Sequence, residues 1–182
     1  MKEEKLNFQQ YSYEDHNLDI DNDEEYENFL DITAPLIGYI VHEFNKLDET
    51  LNSAIWQFIS DRSDQLGALI TYKMNFSAKV DLFNRLIRSM EYGCQIKIPV
   101  MDEIIEKLKK CATLRNAVVH AEWQNINELG YTFVKLNFEK GGLKQHYWQF
   151  TPDSLHEIRE LIIETYFLFD TFYDQKQDLL SR

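Results

Sequence analysis

Val100-Met101-Asp102-Glu103-Ile104-Ile105-Glu106-Lys107-Leu108-Lys109-Lys110-Cys111-Ala112-Thr113-Leu114-Arg115-Asn116-Ala117-Val118-Val119-His120-Ala121-Glu122 decides how this chain is read. Apolar Met101, Ile105, Leu108, Ala112 and Val119 recur at helical spacing, so the stretch predicts an amphipathic helix over Val100 to about Glu122. Arg115 falls in phase with that stripe, between Ala112 and Val119. A guanidinium stays protonated and is costly to bury without a partner, so Arg115 calls for a carboxylate, a wet cleft or a chemical task. Asn116 and His120 are four apart and share a face, with Thr113 and Lys109 one and two turns earlier. From Lys107 to Ala121 there are four basic residues and no acidic one, in a chain whose formal net charge is −12.

The surrounding chain supports a mainly helical domain. Thr33-Ala34-Pro35 reads as a helix start with threonine as N-cap, and the helix runs to about Ser60, roughly 40 Å. Its stripe is Ile37, Ile40, Val41, Phe44, Leu47, Leu51, Ile55 and Phe58. A short helix is expected at Asp23–Leu30 and another around Leu66–Tyr72. Ser77 is expected to cap a helix from Ala78 to about Tyr92, with Val80, Phe83, Ile87 and Met90 inward, Arg85 and Arg88 exposed, and Gly93 as its stop. Alternation over Tyr131–Phe138 and over Lys144–Phe150, about Gly141-Gly142, predicts a β-hairpin. Thr151-Pro152-Asp153-Ser154 opens a last helix to about Gln177, apolar nearly all round, which suits a bundle centre or a subunit interface. The fold class expected is all-α: a bundle of four to five helices with a β-hairpin inserted before the C-terminal helix.

Composition sets the bounds. At 182 residues with 44% apolar content, a single folded domain over 23–182 is expected, following a flexible acidic arm at 1–22. Six glycines and three prolines leave little room for a many-turned β fold. Cys94 and Cys111 lack metal spacing and suggest no disulfide framework. With no signal-like start and no run of about 18 apolar residues, a cytoplasmic protein with no membrane partner is expected. The acidity disfavours broad nucleic-acid binding, and no DNA partner is expected, but RNA chemistry in a locally basic cleft stays open. His42-Glu43 begins like a zinc-protease motif, but Lys46 stands where the second histidine belongs, so no metal and no cofactor is expected. The chain holds no phosphate loop, no GxSxG and no internal repeat. Glu43, Glu164 and Asp170 are the acids offered as partners for Arg115, with Glu43 as supporting acid.

The spacing Arg115-Asn116-x-x-x-His120 resembles the Arg-x(4–6)-His motif of the HEPN superfamily (higher eukaryotes and prokaryotes nucleotide-binding domains), in which a polar residue commonly follows the arginine. The stretch Met74-Asn75-Phe76-Ser77-Ala78-Lys79-Val80-Asp81-Leu82-Phe83 also resembles the corresponding helix start in such proteins, and the resemblance covers residues 30 to 178. It implies a helical domain that forms a homodimer around the motif. Many such domains are metal-independent endoribonucleases, often toxins paired with an antitoxin or other defence proteins; others bind or scaffold a nucleotide, RNA or a protein. The implied catalytic residues are Arg115, Asn116 and His120, with Lys109 and Arg115 on the RNA. Read without the resemblance, His120 serves the helix dipole and Arg115 a structural ion pair. Three functions follow as expectations: a homodimeric endoribonuclease, a non-catalytic binding module, and a purely structural dimer.

Overall fold

The first helix begins ten residues earlier than the Thr33 signal predicts. In this computed structural model, which describes residues 2–7, 23–60, 64–121, 126–127, 130–139 and 142–181, α1 spans Asp23–Ile59 with Pro35 inside it. Side chains are described for 27–60, 64–121 and 150–181. Thr33 is fully buried, and its hydroxyl donates backwards to the carbonyl of Phe29 (2.8 Å) instead of capping the turn ahead. Pro35 removes only the donor owed to the carbonyl of Asp31, an exposed residue where solvent can take its place. The short helix expected at Asp23–Leu30 is therefore the start of α1. The remaining elements are β1 Lys2–Asn7, α2 Asp64–Thr71, α3 Phe76–Cys94, α4 Met101–Val119, β2 Ile126–Asn127, β3 Gly130–Glu139, β4 Gly142–Phe150 and α5 Pro152–Leu180. The chain divides into two units: 1–40 with 116–159, and 41–115 with 160–182.

The larger unit is a helical bundle. Its centre is aromatic: the Phe83 ring of α3 lies 5.7 Å from Phe169 and 5.6 Å, edge-on, from Phe172, both on α5. All three are almost wholly buried, and each contributes about 1.5–3 kcal/mol of burial. Leu47, Leu51 and Ile55 of α1 and Met101, Ile104 and Leu108 of α4 complete that core. The link from α1 to α3 is α2, which presses on α1 at Gly67. There the Trp56 indole N–H donates to the Thr71 hydroxyl (2.9 Å), which donates to the Gly67 carbonyl (3.0 Å). The Lys79 ammonium, buried, holds both carboxylate oxygens of Asp48 at 2.8 Å. Helix α3 is capped by Asn75, whose side chain accepts the Ala78 N–H (2.9 Å), and not by Ser77. It ends past Gly93, at Gln95, which takes the left-handed conformation (φ 55°) so that the Ile96 N–H reaches the Glu91 carbonyl at 3.0 Å. The exposed Cys94 and buried Cys111 are both free, and burial pushes the Cys111 thiol up.

In the other unit, Thr151 and Ser154 cap α5 reciprocally: the Ser154 N–H donates to Thr151 Oγ1 (3.1 Å) and the Thr151 N–H to Ser154 Oγ (2.9 Å). Pro152 takes the first helical position, as expected. Leu155 and Ile158 are buried, and the Arg159 guanidinium lies 5.0 Å over the Tyr39 ring.

The expectation of an all-α chain with one inserted hairpin is corrected. The residues whose side chains are described are 87% helical and hold no hairpin, so the bundle of helices stands, and a lone two-stranded insert is not what the chain forms. The backbone before α5 belongs to a four-stranded antiparallel sheet in the order β1-β4-β3-β2. Phe133 pairs with Trp148, Glu3 with Trp148 on its other side, and Ile126 with Tyr131. A two-stranded ribbon leaves both edges unpaired and is marginal alone, and further strands satisfy those edges. Periodicity within 131–150 cannot show that Lys2–Asn7, read as part of a loose arm, pairs with β4. Residues 8–22 of that arm, Gly141 of the expected turn, and Glu122 lie outside the described residues.

Two substitutions test this account. An alanine Cβ at Gly67 would stand 2.8 Å from Trp56 Cβ. Alanine is the better helix former by about 1 kcal/mol, but overpacking costs about 1–3 kcal/mol, so Gly67→Ala should lower stability in urea denaturation. Gln95→Gly should raise it by about 1 kcal/mol, because glycine adopts the left-handed conformation freely.

Candidate functional site

The buried face of α4 is Met101, Ile104, Leu108, Cys111, Leu114 and Val118. It shares Met101 and Leu108 with the expected stripe and then turns away from it; Ile105, Ala112 and Val119 are only half-buried. Arg115 therefore flanks the core stripe instead of lying on it. Arg115 is half-buried, and its Nε lies out of contact with solvent. Within the larger unit, the Arg115 guanidinium carbon lies 5.3 Å from the centroid of the Phe44 ring. Phe44 is itself 7% exposed and its ring is 4.6 Å from that of Phe76, tilted by 42°. Sequence reasoning read Phe44 only as one member of the α1 stripe. No local signal links it to Arg115, seventy-one residues away, because the pairing depends on how α1 and α4 pack.

Asn116 and His120 are described with the other unit, and both are exposed. The His120 N–H donates to the Asn116 carbonyl (3.0 Å), so α4's hydrogen-bonding continues one residue past Val119 and sets the two residues one turn apart, as the spacing predicts. His120 thus stands at the helix end, where the backbone leaves its regular path.

The charged residues expected near the motif are engaged in different ways. Lys107 lies 3.2 Å from Glu103 and 3.4 Å from Glu164, so Glu164, offered to Arg115, holds this lysine; the hydrogen bond to Glu103 raises the Lys107 pKa. Lys109 is exposed, and its carbonyl accepts the Thr113 hydroxyl (3.0 Å). Glu43, the expected supporting acid, is 3.1 Å from Lys46. Asp170 is exposed on α5. Arg88, expected as a plain surface residue, instead bridges the buried Glu91 (2.7 Å) and Asp102, and the Arg88 guanidinium holds the Asp102 carboxyl below its usual range. Among the described residues no group of three His, Cys, Asp or Glu side chains is placed to hold a metal ion. No helix among them is long and apolar enough to cross a membrane.

Compared with known proteins, the chain matches no family model, no curated protein and no solved structure.

Two substitutions probe what Arg115 and His120 contribute to stability. Arg115→Ala removes a half-buried side chain and its contact with Phe44, and should cost about 1–2 kcal/mol of stability. His120→Ala, at an exposed helix end, should change it by less than about 0.5 kcal/mol. Urea denaturation of both variants checks the pair. A large loss for His120→Ala would give that side chain a structural role.

Proposed function

We propose that this chain is a HEPN-like, metal-independent endoribonuclease that works through Arg115, Asn116 and His120 as a homodimer. The observation that supports the reading is the placement of the motif: Asn116 and His120 are exposed one helical turn apart at the end of α4, directly after an arginine held against an aromatic ring. His120 acts as general base: it takes the proton of the ribose 2′-hydroxyl, whose oxygen attacks the adjacent phosphorus. The 5′-oxygen leaves and takes up a proton, and a 2′,3′-cyclic phosphate remains. Arg115 binds the non-bridging phosphate oxygens and stabilises the charge that builds on them. Asn116 orients the imidazole or donates to the phosphate. A two-fold partner would supply a second Arg115, partly offsetting the repulsion that a net charge of −12 exerts on RNA. The biological setting that goes with this reading is toxin–antitoxin or defence, in the cytoplasm.

A second reading has its own supporting observation. On α2 and just after it, Leu66, Leu69, Ile70 and Tyr72 are exposed, Leu69 at 75% and Tyr72 at 81%. Apolar side chains gathered in this way suit a protein partner, and a non-catalytic HEPN-like module that binds or scaffolds a protein, RNA or nucleotide would use such a surface.

Cleavage of single-stranded RNA by the purified chain in EDTA separates the two. The ribonuclease reading expects cleavage with cyclic-phosphate ends, a loss of about 10²–10⁴ in rate for His120→Ala, and impairment for Arg115→Lys, since an ammonium lacks the planar fork. Cleavage by His120→Ala at the parent rate would remove this histidine from the mechanism. No cleavage by the parent chain would favour the binding module.

A further inference from the structure

We propose that Phe44 is the positioning residue of the site: its ring, braced by Phe76, holds the Arg115 guanidinium where the phosphate must be met. The inference rests on the ribonuclease reading for its catalytic consequence, but the contact it invokes is measurable without it.

Three elements of the larger unit meet at this contact. Phe44 comes from α1, Phe76 is the first residue of α3, and Arg115 is near the end of α4. The guanidinium carbon is 5.3 Å from the Phe44 centroid, within the range in which a cation is attracted by the ring's electron-rich face. Phe44 is 7% exposed, so little water screens that attraction. The Phe44 ring cannot swing freely either, because Phe76 lies 4.6 Å away at a 42° tilt. An arginine has many rotamers, and ordering it at the moment of phosphate binding would weaken both binding and rate. An aromatic face that orders it beforehand removes that cost. The planar guanidinium is suited to the arrangement: one surface can rest on a ring while its N–H edge stays directed at oxygen acceptors.

The test uses the full chain with Phe44→Leu, Phe44→Met, Phe44→Tyr and Arg115→Ala, and Phe44→Met combined with Arg115→Ala. Methionine keeps the bulk without the ring and tyrosine keeps the ring, so the fold has two ways to survive. Denaturation curves confirm that each variant assayed is folded. The expected result is that Phe44→Met and Phe44→Leu lower kcat roughly tenfold or more with KM changed by less than about threefold, that Phe44→Tyr stays within about threefold of the parent, and that Phe44→Met costs nothing further once Arg115 is alanine. A purely structural Phe44 would give losses that track stability and multiply with the Arg115→Ala loss, and that result overturns the proposal. So does an unchanged kcat in the ring-less variants. Should the parent not cleave RNA, the ribonuclease reading fails by itself and the contact is read by NMR. Ring-current shifts of the Arg115 side-chain protons present in the parent and lost in Phe44→Met then uphold Phe44 as the residue that orders Arg115. The same shifts in both overturn it.

Discussion

The phase of α4 is set by one buried carboxylate. Glu91, near the end of α3, accepts the Ile98 N–H with one oxygen (2.7 Å) and Arg88 with the other (2.7 Å). That double engagement fixes the link between α3 and α4 while it makes its left-handed step at Gln95. The Val100 N–H then donates to the Gln175 side chain of α5 (3.1 Å), and Ile98 and Val100 are buried beside it. A helix that starts from so constrained a link has little rotational freedom. Met101, Ile104, Leu108, Cys111 and Leu114 turn inward, and Arg115 is left at the margin of the core. A buried carboxylate is stable only when its oxygens are satisfied, so the link and the acid depend on each other.

The consequence is a half-buried arginine at the margin of the core, its guanidinium carbon 5.3 Å from the Phe44 centroid. Asn116 and His120 follow it into exposed positions within one turn. Were α4 rotated to put Ile105 and Ala112 inward, Arg115 would face the core and would have to act as a structural ion-pair partner. The rotation of α4 thus decides whether Arg115 lies on the core stripe or at its margin.

The acids of the chain are distributed so that several positive charges are already matched. Lys107 has Glu103 and Glu164, Lys46 has Glu43, Lys79 has Asp48, and Arg88 has Glu91 and Asp102. Within the basic run from Lys107 to Arg115, Lys107 is thereby already matched. The pair with both side chains exposed, Arg88 with Asp102, contributes little to stability.

By itself the sequence determined the helices and the local spacing of the motif. Apolar recurrence at three and four residues located α1, α3, α4 and α5, the Thr151-Pro152 start of α5 was legible to the residue, and a spacing of four set Asn116 and His120 one turn apart, because each of these depends only on neighbours within a turn or two. The start of α1 was misread because a buried Thr33 can bond backwards as well as forwards, and only its surroundings decide which. What the tertiary structure alone decided is everything carried by contacts distant in the chain: the pairing of Lys2–Asn7 with β4, the exact face that α4 buries, the partners of Glu43, Glu164 and Arg88, and the ring on which Arg115 rests. A helical pattern leaves the phase uncertain by about one residue, roughly 100° of rotation, and that is the difference between Ile104 and Ile105 inward, and so between an arginine on the core stripe and one at its edge.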